Sequence, residues 1–178
     1  MSNDTRIARM ARLTAWVAYL VMAALAVMIA AFLTKAGELP QLLGPLFDEI
    51  TMPDTLGDMQ IFMILLLGVL VLSVSFYAVY QIYLMAGLLR RPPLLKLENA
   101  EQICSIGVAL LVLLAVTLLA YPALVLTMTW ANPTGERSVA ISIGFGQVTM
   151  GLVGSLIYLI GRSMIESAKE AEEFRTFI

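Results

Sequence analysis

Chemistry inside a bundle of helices needs side chains that titrate, ligate or attack, and this 178-residue chain places almost none where its apolar segments run. It contains no histidine, which removes the ligand that most helical haem sites use, along with histidine zinc sites and histidine proton relays. Cys104 is the single cysteine. Neither an intramolecular disulfide nor a dithiol relay can form from it, and it reads as a small apolar filler near a helix start. With Arg12 counted in the N-terminal flank, no Asp, Glu, Lys or Arg falls in the four apolar cores, whereas proton- or ion-coupled carriers hold such a residue facing the bundle interior. The cores also lack a Ser–His pair, an aspartate pair or a metal motif for hydrolysis. The expectation is a protein that is not an enzyme, with no catalytic residue, cofactor or metal site.

The polar groups that do lie inside are Gln147, Ser142, Thr149 and Ser155 in the fourth segment, Thr117 and Tyr121 in the third, and Ser73 and Ser75 in the second. Gln147 is the most demanding, because its amide offers two donors and an acceptor that lipid cannot satisfy. It is expected to face another helix through a hydrogen bond of ~0.5–2 kcal/mol; a ligand or pore contact is the alternative. Gly144, Gly151, Gly154 and Gly161 follow one another by seven, three and seven residues, which at ~100° per residue keeps them in one sector of a helix. Small residues let backbones approach, so this stripe is expected to meet the alanine-rich face of the first helix or a second copy of the chain in a homo-oligomer. Tyr121-Pro122 reads as a kink.

The elements that carry these residues follow from hydropathy. The chain is 60% hydrophobic and 13% charged, with a mean hydropathy of +0.89; a soluble domain is nearer ~45–50% apolar and ~25% charged. Four stretches, about 11–33, 60–84, 103–130 and 139–160, reach the ~20 apolar residues that a ~30 Å hydrocarbon core requires. Each must be helical, since lipid offers no partner to an open strand. The first begins with Arg6, Arg9 and Arg12 like a signal peptide, but its apolar core exceeds the ~7–15 residues of such a segment, so it is read as a retained helix. The fold class expected is an all-α polytopic membrane protein, a four-transmembrane-helix bundle.

Orientation comes from the basic flanks. Arg6, Arg9, Arg12, Arg90, Arg91, Lys96, Arg162, Lys169 and Arg175 lie on one side, and Lys35 and Arg137 on the other. The positive-inside bias then places the N-terminus, the middle loop and the C-terminus in the cytoplasm of a cell with an inner membrane. The net charge of −2 and the absence of a long basic block exclude direct nucleic-acid binding. Outside, the segment from about 34 to 58 repeats Leu39, Leu42, Leu43, Leu46, Phe47 and Ile50 at helical spacing, as for a short helix on the membrane surface, interrupted at Pro45.

On the cytoplasmic side, Arg90-Arg91-Pro92-Pro93 ends the second helix, and Glu98-Asn99-Ala100-Glu101 leads into the third with acids near its positive end. The tail after Arg162 looks like the fourth helix continued into water. Glu166 is placed to pair with Lys169, and Glu170, Glu173, Phe174 and Phe177 form the charged and apolar end of the chain. Arg90, Arg91, Glu98, Asn99, Glu170, Glu173, Phe174 and Phe177 are therefore the expected contacts for a cytoplasmic partner.

At these residues the chain resembles a known family. Glu98-Asn99-Ala100, Ile106-Gly107 opening an apolar helix, and the tail Ala168-Lys169-Glu170-Ala171-Glu172-Glu173-Phe174-Arg175-Thr176-Phe177-Ile178 look like the four-helix membrane family numbered 2975 among domains of unknown function. The chain departs from it at Gln102-Ile103-Cys104, where the family more often has basic residues. The resemblance supplies no catalytic residues. Its members often accompany small helix-turn-helix regulators, which implies a membrane partner for such a regulator. Membrane lipid and another protein, a membrane subunit or a cytoplasmic regulator, are the expected partners. The function expected is non-enzymatic, through protein–protein contact, with a small oligomeric channel or uncoupled carrier along Gln147, Thr149 and Ser155 as the alternative.

Overall fold

The computed structural model describes residues 3–35, 56–89, 97–130, 132–133 and 139–176, with side chains described between 9 and 170. Four helices make up this part of the chain: α1 (Asn3–Thr34), α2 (Asp58–Leu88), α3 (Leu97–Thr129) and α4 (Phe145–Thr176). All four are long and apolar enough to cross a membrane. The surface membrane helix expected before α2 falls on residues 36–55, outside the described residues.

At ~1.5 Å per residue, helices of 31 to 33 residues run ~46–50 Å, well beyond a ~30 Å hydrocarbon core. The charged residues of α1, α3 and α4 gather at the start of α1, the start of α3 and the end of α4, while the one charged residue of α2, Asp58, stands at its start. The helices run antiparallel, so the start of α1, the end of α2, the start of α3 and the end of α4 share one end, the one at which α1 begins and α4 finishes. That end is called the terminal end here, and the opposite one the distal end.

The helices pack in chain order, α1 on α2, α2 on α3 and α3 on α4. Among the described residues, α1 and α4 share no packed seam. The burial pattern explains why. On α1 the covered positions are Ala11, Ala15, Ala18, Met22, Leu25, Ile29 and Phe32, alternating by four and three residues as in a coiled-coil seam. On α4 the positions Gly151, Gly154, Tyr158, Gly161, Ile165 and Ala168 keep the same rhythm, flanked on one side by the partly covered Gln147, Met150, Ile157 and Met164. A single seam fits a helix at the edge of the assembly. α3 is covered nearly all round, leaving exposed among its apolar residues a narrow row of Val108, Val112, Ala115 and Leu119, as expected of a helix held between two others.

A core cluster of Ile64, Val125 and Met128 lies toward the distal end, surrounded by Phe32, Ile61, Leu65, Tyr121, Leu124 and Ala140. It joins α1, α2, α3 and the approach to α4. Lipid tails are as apolar as these side chains, so close packing and hydrogen bonds hold such helices together rather than escape from water. α3 continues through Pro122 to Thr129 as one helix.

Candidate functional site

The glycine stripe of α4 lies against α3, not against the alanine face of α1. A methyl group at Gly161 would stand 2.5 Å from the Cys104 backbone nitrogen, and one at Gly107 would stand 2.5 Å from the backbone nitrogen of Tyr158. The two glycines sit on facing helices one turn apart, so each backbone fills the notch the other opens. Gly154 meets Leu110 and Leu111, and Gly151 meets Leu114. The alanines of α1 serve the α1–α2 seam instead, because α1 packs chiefly on α2.

Gly144 stands outside this seam. α4 begins at Phe145, with 139–144 non-helical, and Gly144 is the residue just before its first turn. Its N–H donates to Gln147 Oε1 at 2.9 Å. Gln147 therefore closes the start of its own helix through the back half of a capping box, in place of the interhelical bond expected of it. A glycine followed three residues on by a glutamine offers a start in which the side chain bonds back, whereas Ser142 is followed three residues on by Phe145, which cannot.

The same device opens α2. Gly57 N–H donates to Gln60 Oε1 at 2.9 Å. Gln60 then uses its amide nitrogen on the end of α3, donating to the Thr127 carbonyl at 2.9 Å and to the Met128 carbonyl at 3.4 Å. One side chain thus satisfies an orphan donor at the head of one helix and orphan acceptors at the tail of the next. Near the terminal end, Gln102 Nε2 donates to Gln81 Oε1 at 2.7 Å and to the Gln81 carbonyl at 3.0 Å. Gln81 is buried, so these bonds tie α2 to α3 where a lone amide would be costly. Gln60, Gln81 and Gln102 escape a reading that looks for ionisable groups; the repeated Gly-x-x-Gln at 57–60 and 144–147 is the signal that finds one of them.

Three of the hydroxyls singled out in the spans are spent locally. Ser75 donates to the Val71 carbonyl at 2.8 Å, Thr117 to those of Leu113 and Leu114 at 3.0 and 2.9 Å, and Thr149 to that of Phe145 at 2.8 Å. Back-bonding of this kind satisfies a hydroxyl without a second helix. Gln147 and Thr149, two members of the polar path an oligomeric channel would use, both serve the backbone of α4. Among the described residues, no three His, Cys, Asp or Glu side chains come together in a way that could hold a metal.

At the terminal end, Glu98 lies exposed in the first turn of α3, while Asn99 and Ala100 are buried. Asn99 thus belongs to the packing rather than to an open surface. α4 runs on without interruption to Thr176, with Ile165 buried and Glu170 exposed. Glu166 pairs with Arg162 one turn earlier, at 3.7 Å, both side chains being mostly in solvent, rather than with Lys169 as the sequence suggests. Glu173 and Phe174 fall on the helical backbone of α4. Arg90, Arg91 and Phe177 lie outside the described residues. A comparison with protein-family models, with characterised proteins and with solved structures finds no match in any of the three.

Proposed function

We propose that this chain is a non-catalytic, multi-pass protein of a bacterial-type inner membrane, with both termini in the cytoplasm, and that it works by holding another protein at its terminal end. The observation that supports this reading is the length of α4, which exceeds what a bilayer crossing needs. Its 32 residues span ~48 Å, leaving ~18 Å beyond a ~30 Å core. The base of this extension is braced by the contact of Gly161 with Cys104 and by buried Ile165, so it projects as a rod, not as a loose tail. The excess of Lys and Arg at this end supports its cytoplasmic placement. An accessory subunit or a tether for a cytoplasmic regulator fits these features, and the resemblance to the four-helix family, resting on Glu98-Asn99-Ala100 and the tail, points toward the regulator.

The test is site-specific photocrosslinking in native membranes, with the photoreactive residue placed at Glu98, at Glu170 and, as a lipid-facing reference, at Leu152. Discrete protein adducts at Glu98 and Glu170 but not at Leu152 are expected. Adducts to lipid alone at all three positions, with a tail that can be replaced by an unrelated helix without effect in the cell, would overturn the proposal.

A further inference from the structure

Between α1 and α2, at the terminal end, a cleft of about 420 Å³ is lined by Ala15, Trp16, Tyr19 and Tyr83. Trp16 and Tyr19 form an edge-to-face pair, with ring centroids 6.3 Å apart and planes at 86°. Ala15, which is buried, keeps the floor of the cleft shallow on the α1 side, and Tyr83 faces the pair from α2. Indole and phenol rings favour the depth at which acyl chains give way to headgroups, because each has an apolar body and a polar tip.

Directly outward along α1 stand Arg9 and Arg12. Steps of three and four residues place Arg9, Arg12, Trp16 and Tyr19 within a sector of roughly 80° on one side of the helix. Arg12 is about one turn, and Arg9 about two turns, beyond Trp16 toward the aqueous side. Both are exposed. Among the described residues, neither guanidinium has a carboxylate partner, and no carboxylate lines the cleft. The stripe therefore reads, from water inward, as two cations, then two rings beside a phenol, then a shallow apolar seam.

From this charge complementarity we infer that the α1–α2 cleft binds an anionic phospholipid. Its phosphate is held by the Arg12 and Arg9 guanidiniums, its glycerol backbone lies beside Trp16, Tyr19 and Tyr83, and its acyl chains run down the α1–α2 seam. Arginine presents a planar fork of donors suited to phosphate, and the tyrosine hydroxyls add donors at ester depth. A zwitterionic lipid brings an ammonium or choline that two unpartnered cations disfavour. This site is independent of any protein partner at the terminal end.

Trp16 and Trp130 are the two tryptophans of the chain, and Trp130 lies at the distal end. A W130F background therefore leaves Trp16 as a reporter inside the proposed site. The full chain in this background is placed in vesicles containing phosphatidylglycerol and phosphatidylcholine in equal amounts, with bromine on the acyl chains of one lipid or the other. Brominated phosphatidylglycerol is expected to quench Trp16 as though it were enriched about 5-fold beside the ring, and R9Q/R12Q is expected to make the two lipids equal. Equal quenching by the two lipids in the parent protein overturns the inference, whether or not R9Q/R12Q folds. A preference that survives in a folded R9Q/R12Q overturns it too.

Discussion

Gly161→Ala tests whether the α3–α4 seam is held by backbone contact. The added methyl would lie 2.5 Å from the Cys104 nitrogen and 2.7 Å from its Cα, whereas carbon atoms pack at ~3.5–4.0 Å. Neither partner atom can swing aside, since both belong to the α3 backbone. The two helices must therefore separate by roughly 1 Å at this point, loosening the neighbouring contact of Gly107 with Tyr158 as well. Overpacking of this kind costs about 1–3 kcal/mol, set against a gain of up to about 1 kcal/mol for replacing a helical glycine by alanine. The reference is Gly87→Ala on α2, where a methyl meets nothing within 4 Å, so only the gain applies. Reversible unfolding of the full chain in mixed micelles, followed by circular dichroism while sodium dodecyl sulfate is titrated in, should place G161A about 1–3 kcal/mol below G87A, because the gain is common to both. G107A/G161A should lose less than the sum of its single changes, because the first substitution already opens the seam for the second. A G161A protein as stable as G87A, or strictly additive losses, would refute the backbone-contact account.

Gln60→Ala should lower stability by about 1–2 kcal/mol and Gln147→Ala by about 0.5–1 kcal/mol, because the first loses bonds to the end of α3 as well as a helix start; hydrogen exchange should rise at Gly57 in one variant and at Gly144 in the other. Gln102→Leu removes the donor to the buried Gln81 amide oxygen and should cost about 1–3 kcal/mol, with Q81L/Q102L recovering part of the loss in a double-mutant cycle. Arg162→Gln breaks an exposed pair and should shift the unfolding midpoint by no more than about 0.5 kcal/mol. Gly68→Ala meets the ring of Phe32 rather than backbone; beside a groove of about 360 Å³ the ring has room to turn, so the loss should fall below that of G161A in the same titration.

The four apolar helices were legible because lipid leaves the backbone one arrangement over such runs, and composition alone reports it. Partner choice was not. The small residues of α1 and of α4 carry the same signal, and nothing in Gly151, Gly154 or Gly161 says whether alanines or the Gly107 region will answer them. The decision rests on the facing surface, since α3 sets Gly107 and the Cys104 backbone opposite the stripe, a match that the spacing within one helix does not display. Gln147 was misplaced for a different reason. A polar residue counted as lying within a span is assigned a partner across the bundle, but six residues of that span are not helical, and the amide finds its acceptor role at the helix start. Gln81 and Gln102 show the converse, amides whose importance comes from burial between two helices, which spacing in one segment does not display. The proposed contact surface at the terminal end was legible only as polarity and charge; the burial of Asn99 required the fold.

The chain-order packing bears on how such a molecule is made. A helix whose packed seams are with its predecessor and its successor does not wait for a partner not yet synthesised. α2 can settle on α1 as soon as it enters the bilayer, α3 on α2, and α4 on α3, each step closing one seam before the next begins, much as repeats add to a solenoid. The last seam is also the one in which glycines meet backbone, at Gly107 and Gly161. Assembly would then proceed in the direction of translation and finish by seating α4, so the helix proposed to hold a partner takes its final position only when the other three are already in place.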